Sequence, residues 1–173
     1  MKKYLKQEIF KGKKYNIFQI LKVILFNLNV RFIFLLRLLF WLKERNRNIL
    51  VNYISRRIIS KYGCYIGTQS QIGVGVHFPH PNGIVIGSNT IIGDNCTIYH
   101  QVTFGGKVIG DAKKGNYPTV GNNVVIFSGA KLIGNIKIGN NVIIGANSVV
   151  NKDVPPFTIV AGIPAKIIKH LPN

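Results

Sequence analysis

The fold is decided by residues 120–151, which read VGNNVVIFSGAKLIGNIKIGNNVIIGANSVVN. In this stretch an aliphatic residue returns every six positions, and the same spacing extends back to residue 66 with two interruptions. The series is Ile66, Ile72, Phe78, Ile86, Ile92, Ile98, Phe104, Val120, Ile126, Leu132, Ile138, Ile144 and Val150. Such a repeat predicts a parallel β-helix, in which each of these side chains points inward and stacks on its counterpart one coil later.

A second position in each repeat also points inward. Four residues after each aliphatic residue the side chain is small or medium, as in Cys96, Val102, Val124, Ala130, Val142 and Ser148. Gly and Asn follow the aliphatic residues, for example in Gly121-Asn122-Asn123. We expect these residues to occupy corners that need unusual backbone dihedral angles.

The register breaks twice, and the breaks locate a candidate site. Two extra residues fall within residues 80–83, and ten fall in an inserted loop at residues 105–119. If three repeats make one coil, Phe78, Ile98, Ile126 and Ile144 share a face. The residues two positions later then form one column, with neighbours about 4.8 Å apart. This column contains His80, His100, Ser128 and Ala146.

Charge is concentrated at the front of the chain. Residues 1–62 contain 15 Lys or Arg and two Glu, which gives +13 of the total net charge of +18. This asymmetry indicates an anionic partner, either membrane lipid or nucleic acid. Nucleic acid is disfavoured because the aromatic residues are not interleaved with the cations as stacking platforms.

Only two cysteines, Cys64 and Cys96, are present, so we expect no disulfide framework and a cytoplasmic location.

Residues 1–62 are expected to form a basic, apolar helical extension. The run 17–44 is strongly apolar, Asn27-Leu28-Asn29 suggests two helices rather than one, and a third helix is expected at 50–60. Three cations interrupt the apolar run, namely Lys22, Arg31 and Arg37. Their cost approximately cancels the apolar gain, which makes a membrane span borderline. Two interpretations remain open: packed helices with solvent-facing cations, or an amphipathic element at the inner face of the membrane.

Four motifs resemble a known group. They are His80 to Gly87 (HPNGIVIG), Val102 to Gly106 (VTFGG), Val154-Pro155-Pro156, and Ala161 to Lys166 (AGIPAK). With the repeat, they resemble the hexapeptide-repeat acyltransferases, in the branch of serine O-acetyltransferases and related polysaccharide-biosynthesis O-acetyltransferases. The similarity covers about residues 63–170. It implies a left-handed parallel β-helix at residues 63–173 with a C-terminal tail, an exception to the right-handed crossover rule. It also implies a homotrimer with sites between subunits, and acetyl-CoA as the acyl donor.

Two histidines are the candidate catalytic residues. Acyl transfer to a hydroxyl needs a base for the hydroxyl proton and donors for the oxyanion. His80 lies at a register break and matches the catalytic histidine of the family, so it is the expected base. His100 orients the substrate or His80, or simply caps the stack.

The resemblance also implies residues that bind acetyl-CoA. The thioester end is expected at Gly105 and Gly106, and the small side chains of Ser128 and Ala146 leave room along the column. Cations and polar groups suit the adenosine and phosphate end of the ligand. They are expected at Asn151, Lys152, Lys166 and Lys169. No cluster in the sequence has metal-ligand spacing, so no metal is expected.

Departures from the serine acetyltransferase pattern bear on the acceptor. The aspartate that pairs with the catalytic histidine in that family corresponds to Tyr65, and the aspartate before that histidine corresponds to Pro79. The Arg-His pair that holds the amino acid corresponds to Asn116-Tyr117. We therefore predict an O-acetyltransferase that modifies a sugar hydroxyl of a surface-polysaccharide or glycan precursor. The alternatives are a serine O-acetyltransferase of cysteine biosynthesis and, from another class, a non-catalytic β-helix scaffold.

Overall fold

The computed structural model describes Glu8 and residues 16–172. Within residues 16–172, three helices precede a coil of short strands. The helices are α1 (Ile17–Phe26), α2 (Leu28–Lys43), α3 (Asn48–Tyr62) and, inside the inserted loop, α4 (Asp111–Lys114). The strands are β1 (Tyr65–Ile66), β2 (Gln71–Ile72), β3 (Val85–Ile86), β4 (Ile91–Ile92), β5 (Thr97–Ile98), β6 (Thr103–Gly105), β7 (Thr119–Val120), β8 (Val125–Ile126), β9 (Lys131–Ile133), β10 (Lys137–Ile138), β11 (Ile143–Ile144), β12 (Val149–Val150), β13 (Thr158–Gly162) and β14 (Ala165–His170). Residues 16–62 are called the helical segment below, and residues 63–172 the coil.

The coil is a prism with three parallel sheets as its sides. The first sheet has the order β1-β3-β6-β9-β12, the second β10-β7-β4-β2, and the third β14-β13-β11-β8-β5. Only the last pair, β13 and β14, is antiparallel among the described strands. The left-handed parallel β-helix with a helical N-terminal segment is therefore confirmed. The proposed division of the chain at residue 62 stays a prediction.

The register of the third sheet confirms the predicted column. His77 pairs with Thr97, Thr97 with Val125, and Val125 with Ile143. The inward residues that follow these positions, Phe78, Ile98, Ile126 and Ile144, are fully buried. So are the residues four positions after the last three of them, and after Phe78 the two extra residues move the buried position to Ile84. Three repeats therefore make one coil, and both register breaks fall where the sequence places them.

The reason for glycine at the corners differs from the one expected. Gly121 and Gly139 do not have positive φ angles, whereas Asn123 and Asn141 do, at 56° and 57°. A Cβ on Gly139 would instead lie 2.5 Å from the backbone nitrogen of Pro156. Glycine is needed at this corner because the next coil passes too close for any side chain, and asparagine supplies the left-handed conformation.

The helical segment follows the predicted division. Asn27 separates α1 from α2, and its side chain caps α2 by accepting from the backbone N–H groups of Asn29 and Val30, each at 3.1 Å. Phe32 of α2 packs edge-on against Tyr62 and Phe78, with ring centroids 5.1 Å apart in both pairs. The helices and the coil therefore share one core. None of the described helices is long and apolar enough to cross a membrane.

The expectation that the basic residues of packed helices face solvent is wrong for Arg37. Its side chain is buried and forms an ion pair with Glu8, with Nε 2.8 Å from the carboxylate. The same guanidinium donates to the carbonyl oxygens of Ile72 and Gly73 in the first coil. A guanidinium can be buried here because all of these partners are acceptors in fixed positions.

Candidate active site

The corner that follows Phe78 presents His80 to solvent. Phe78 itself is fully buried, and the next residues turn sharply. The carbonyl oxygen of His80 accepts the N–H of Asn82 at 2.8 Å, and the Asn82 carbonyl accepts the N–H of Gln101 at 2.8 Å. The two extra residues of this corner are thereby hydrogen-bonded to the next coil. The result is an exposed imidazole on a backbone that is fixed on both sides.

His100 lies one coil below His80, as the register predicts. The ring centroids are 6.1 Å apart and the rings meet edge to face, with 68° between their planes. The Nδ1 atom of His100 is buried and has no hydrogen-bond partner within the described residues. The structure therefore brings the two candidate catalytic histidines together by ring contact.

An aromatic pair adjoins these histidines. Tyr99 and Phe127 occupy the position just before the histidine column, on successive coils. Their rings stack with centroids 5.2 Å apart and planes 19° apart, and the Tyr99 centroid is 6.4 Å from that of His80. Sequence reasoning missed this pair. The register that located His80 also places these two residues side by side, so the signal was present in the sequence.

The lower part of the column has small side chains and an open surface. Ser128 and Ala146 follow His100 in register, and the Ser128 carbonyl accepts the N–H of Asn147 at 2.9 Å. Ala146 is exposed and Ser128 is half-buried. These small side chains leave the surface along the column free for an elongated ligand. Their role in binding acetyl-CoA stays a prediction.

The inserted loop is organised by one carboxylate, which sequence reasoning also missed. Asp111 accepts the N–H groups of Lys107 and Val108 at 2.7 and 2.8 Å, and the side-chain amide of Asn116 at 2.9 Å. These hydrogen bonds, led by that from Asn116, lower the pKa of Asp111 below its ordinary value. Gly106 packs directly on this carboxylate, since a Cβ there would lie 2.7 Å from the Asp111 Cβ. The loop backbone after Gly105 and Gly106 is therefore held in place.

The remaining candidate residues lie farther apart. Asn151 and Lys152 follow β12 of the first sheet, whereas Lys166 and Lys169 lie on β14 of the third. All four are exposed. Within one protomer the structure thus places these cations on different faces, and their assignment to the phosphate end of acetyl-CoA stays a prediction.

The described residues include two thiols and no metal-binding cluster. No cluster of three or more His, Cys, Asp or Glu suitable for a metal occurs within the described part of the chain. Cys64 and Cys96 are buried free thiols, and burial raises the pKa of both. The two cysteines therefore belong to the interior of the coil and not to the chemistry.

Comparison with known proteins agrees with this geometry. The family model described as bacterial transferase hexapeptide (six repeats) matches residues 117–152. The serine acetyltransferase of Buchnera aphidicola subsp. Schizaphis graminum is 41% identical over 137 residues, which span 79% of this chain and 52% of that protein. The chain belongs to the hexapeptide-repeat acyltransferases. Within them it falls in the serine acetyltransferase-like branch.

Solved structures of this branch cover the helical segment as well. The serine acetyltransferase of Brucella abortus strain S19 in complex with coenzyme A has a TM-score of 0.80 and 31% identity, over 98% of this chain and 65% of that one. The enzyme of Neisseria gonorrhoeae in complex with serine has a TM-score of 0.77 and 30% identity, over 96% of this chain and 65% of that one. The chain thus spans between half and two thirds of the length of these relatives.

Proposed function

We propose that the protein is an acetyl-CoA-dependent O-acetyltransferase in which His80 is the general base. The observation that carries this proposal is the exposed imidazole of His80, which projects from the hydrogen-bonded corner at a register break. Its ring contacts the ring of His100, with centroids 6.1 Å apart. Support also comes from relatives named as serine acetyltransferases, one of them solved with coenzyme A. A scaffold without catalysis would not need a rigidly held, solvent-facing histidine at this corner.

The site residues suggest how the reaction proceeds. His80 takes the proton of the acceptor hydroxyl as its oxygen attacks the thioester carbonyl, and then returns that proton to the departing thiolate of coenzyme A. The backbone N–H groups near Gly105 and Gly106 supply donors for the oxyanion. His100 limits the rotation of the His80 ring by contact with it. No acyl-enzyme is required, because the acceptor oxygen attacks the donor directly.

Two classes of acceptor have support, each from a different source. L-Serine is favoured by the relatives, one of which is solved in complex with serine. A sugar hydroxyl has no support from these relatives. Its support is local: the contacts of the His80 ring in the described protomer are aromatic, with Tyr99 and His100, and positions 65 and 79 hold Tyr and Pro. L-Serine is therefore the first acceptor to test.

Release of free thiol tests the proposed function. Purified full-length protein is incubated with acetyl-CoA and, in separate reactions, with L-serine or sugars, while thiol formation is followed. We expect acceptor-dependent thiol release that requires His80. Absence of turnover with every acceptor, with the fold intact, would contradict the enzyme assignment and favour a scaffold.

We also propose that the protein assembles as a homotrimer. A homotrimer is implied by the family resemblance, and sites between subunits would allow Lys152 and Lys166 from neighbouring protomers to approach one ligand. Sedimentation analysis is expected to give the mass of three chains. A monomer with full activity would contradict both the trimer and the shared site.

We also propose that the helical segment contacts an anionic membrane, which would hold a cytoplasmic enzyme at the inner face. Phe18, Lys22, Leu25 and Phe26 share one face of α1, and all four are exposed, with both phenylalanines at 79%. Residues 1–62 carry a net charge of +13. Apolar side chains for the acyl boundary and cations for the headgroups together give stable attachment where either signal alone is marginal.

A further inference from the structure

A cavity lies between α2 and the second sheet of the coil, and it has no role in the reaction described above. Its volume is about 420 Å³, which is within the usual range for sites that bind small molecules. The described residues that line it include Phe40, Trp41 and Glu44 of α2 and Ile91, Asp94 and Asn122 of the coil. None of the described lining residues belongs to the histidine column.

The cavity is acidic although the chain is strongly basic. The sequence has five Asp and Glu residues against 23 Lys and Arg, yet two of the five, Glu44 and Asp94, line this cavity. Arg37 also lines it, but this guanidinium is already paired with Glu8. Neither Glu44 nor Asp94 forms an ion pair with any residue that the structure describes. The lining therefore carries two negative charges that the described fold does not neutralise.

The carboxylate of Asp94 is not required by the corner that holds it. Its Oδ1 atom accepts the N–H of Val74 at 2.7 Å. At the same corner of the next two coils, Asn122 and Asn140 accept the corresponding N–H groups through their own Oδ1 atoms, at 2.8 and 2.7 Å. An asparagine at position 94 would therefore make the same contact without a charge. The negative charge of Asp94 needs another explanation.

Glu44 also lies where its charge does not support the local structure. It is the C-cap of α2, and its backbone N–H donates to the carbonyl oxygen of Phe40 at 3.0 Å. The C-terminal end of a helix carries a partial negative charge, so a carboxylate is unfavourable there. The side chain is exposed and forms no hydrogen bond within the described residues. Neither carboxylate of the cavity thus has a structural reason for its charge.

We propose that this cavity binds an aliphatic polyamine, with one ammonium group at Glu44 and another at Asp94. The two carboxylates belong to different parts of the molecule, one to α2 and one to the coil. A polyamine separates its ammonium groups by methylene chains, so one molecule can form charge-assisted hydrogen bonds with both carboxylates. This inference goes beyond the proposed acetyl transfer and does not depend on it.

The rest of the lining suits both the methylene chains and the cations. Ile91 points outward from β4 and is 39% exposed, and Phe40 and Trp41 of α2 are partly buried. Apolar side chains cover methylene groups, and the face of an aromatic ring also attracts a cation. Trp41 already shows this attraction, because the Arg45 guanidinium lies 3.9 Å from the centroid of its ring.

Other classes of ligand fit the lining less well. An anion such as phosphate would lie beside two carboxylates and be repelled by them. A metal ion usually takes more ligands than two carboxylates provide, and the residues that the structure describes contain no cluster of three or more candidate ligands. A neutral molecule would cover Glu44 and Asp94 without pairing them. A polyamine alone among these classes matches both the charge and the apolar surface.

Calorimetric titration of the full-length protein with spermidine tests the site. We expect one spermidine to bind per chain. Glu44→Gln and Asp94→Asn should each weaken binding by about tenfold, because each variant loses one charge-assisted contact. 1,8-Octanediol, an uncharged chain of the same length, should not bind. Absence of spermidine binding to the wild-type protein, or equal binding of the diol, would overturn the proposal.

Asp153→Asn is the matched control. Asp153 is an exposed residue of another coil corner, where its Oδ1 atom accepts the N–H of Lys137 at 2.8 Å, as Asp94 accepts that of Val74. The control therefore makes the same chemical change and the same change in net charge outside the cavity. Its affinity for spermidine should stay within about twofold of the wild-type value. Equal losses in Asp94→Asn and Asp153→Asn would show general electrostatic attraction and overturn the site.

Thermal unfolding provides a second measurement. A ligand that contacts both α2 and the coil binds the folded protein only, so spermidine at about 100 times its Kd should raise Tm by roughly 5 °C. The double variant Glu44→Gln with Asp94→Asn should lose this shift. A shift of equal size in the wild-type protein and the double variant would overturn the site. Neither measurement uses acetyl-CoA or an acceptor, so the result is independent of the role of His80.

Discussion

The coil and the helical segment satisfy their buried or closely packed polar groups in different ways. In the coil, corner side chains repeat one contact: the Asn122 side chain accepts the N–H of Asp94 at 2.8 Å, and the Asn140 side chain accepts the N–H of Asn122 at 2.7 Å. In the helical segment, Arg37 depends on Glu8, 29 positions away, and on carbonyl oxygens of the first coil. The coil therefore uses one local contact repeatedly, whereas the helical segment is joined to the coil by contacts between residues far apart in the sequence.

The two regions also place their apolar residues differently. Every inward position of the repeat is buried between coils, whereas α1 leaves Phe18 and Phe26 exposed. The inward face of a repeat is covered by the neighbouring coils, whereas a helix at the edge of the fold can keep one apolar face unpaired. The two proposals, catalysis in the coil and membrane contact through the helical segment, follow this difference.

The largest expected effect falls on the contact that joins the two regions. Arg37→Ala should reduce the free energy of unfolding by about 3 to 5 kcal/mol, because Glu8 remains buried without its cation. Chemical denaturation measures this loss. Arg56→Ala, on the exposed side of α3, is the matched control and should cost about 0.5 kcal/mol or less. Similar losses for both variants would show that the buried pair is not what holds the helical segment to the coil.

The next largest effect falls on catalysis in the coil. His80→Ala should lower kcat by about 100-fold or more with the fold unchanged, since a general base contributes this much. Thiol release under saturating acetyl-CoA is the measurement. His170→Ala removes an exposed histidine of β14 and should leave kcat within about twofold. A His80→Ala enzyme with normal kcat would assign the base to another residue.

The outward apolar face of the helical segment gives the third prediction. Phe18→Ser with Phe26→Ser should weaken binding to anionic vesicles by about 2 kcal/mol, roughly 30-fold, because two large side chains no longer enter the acyl boundary. Vesicle sedimentation at low salt measures the partition, and added salt should partly release the wild-type protein. Ile163→Ser with Ile168→Ser removes comparable exposed residues from the coil and should have no effect. If both double variants behave alike, the helical face is not the membrane contact.

Cations of the coil give a smaller effect. Lys152→Ala with Lys166→Ala should weaken coenzyme A binding by about 1 to 3 kcal/mol in total, through loss of charge-assisted phosphate contacts. Calorimetry measures the affinity. Lys61→Ala with Lys137→Ala, which removes the same charge elsewhere, is the control. Unchanged affinity in the first pair would place the phosphates away from these lysines.

The difference between the two regions also explains what the sequence can predict. Period and register locate the sheets, the column and the pairing of His80 with His100, because each contact in the coil repeats at a fixed spacing. The pair of Arg37 and Glu8 has no such spacing. From the sequence alone, its charges are therefore predicted to face solvent. Tyr99 and Phe127 follow the register, but their meaning depends on ring geometry that only the structure gives. Asp111 lies in an insertion without a repeat.

The smallest effect concerns the inserted loop. There the Asp111 carboxylate accepts hydrogen bonds from the loop backbone and from Asn116, as corner asparagines accept them in the coil. Its pKa is lowered, chiefly by the hydrogen bond from Asn116, so the ionised form is the one that the folded loop stabilises. The stabilisation is complete at neutral pH. It is lost as the pH falls below about 3.9, the ordinary value for Asp, and through the lower value of the folded protein. An NMR titration of the Asp111 carboxyl group, read also at the N–H groups of Lys107 and Val108, measures the shift. Asn116→Ala should move the pKa of Asp111 back toward its ordinary value, whereas Asn135→Ala, at an exposed coil position, should leave it unchanged. If Asn116→Ala has no effect on the titration, backbone donors alone organise the loop.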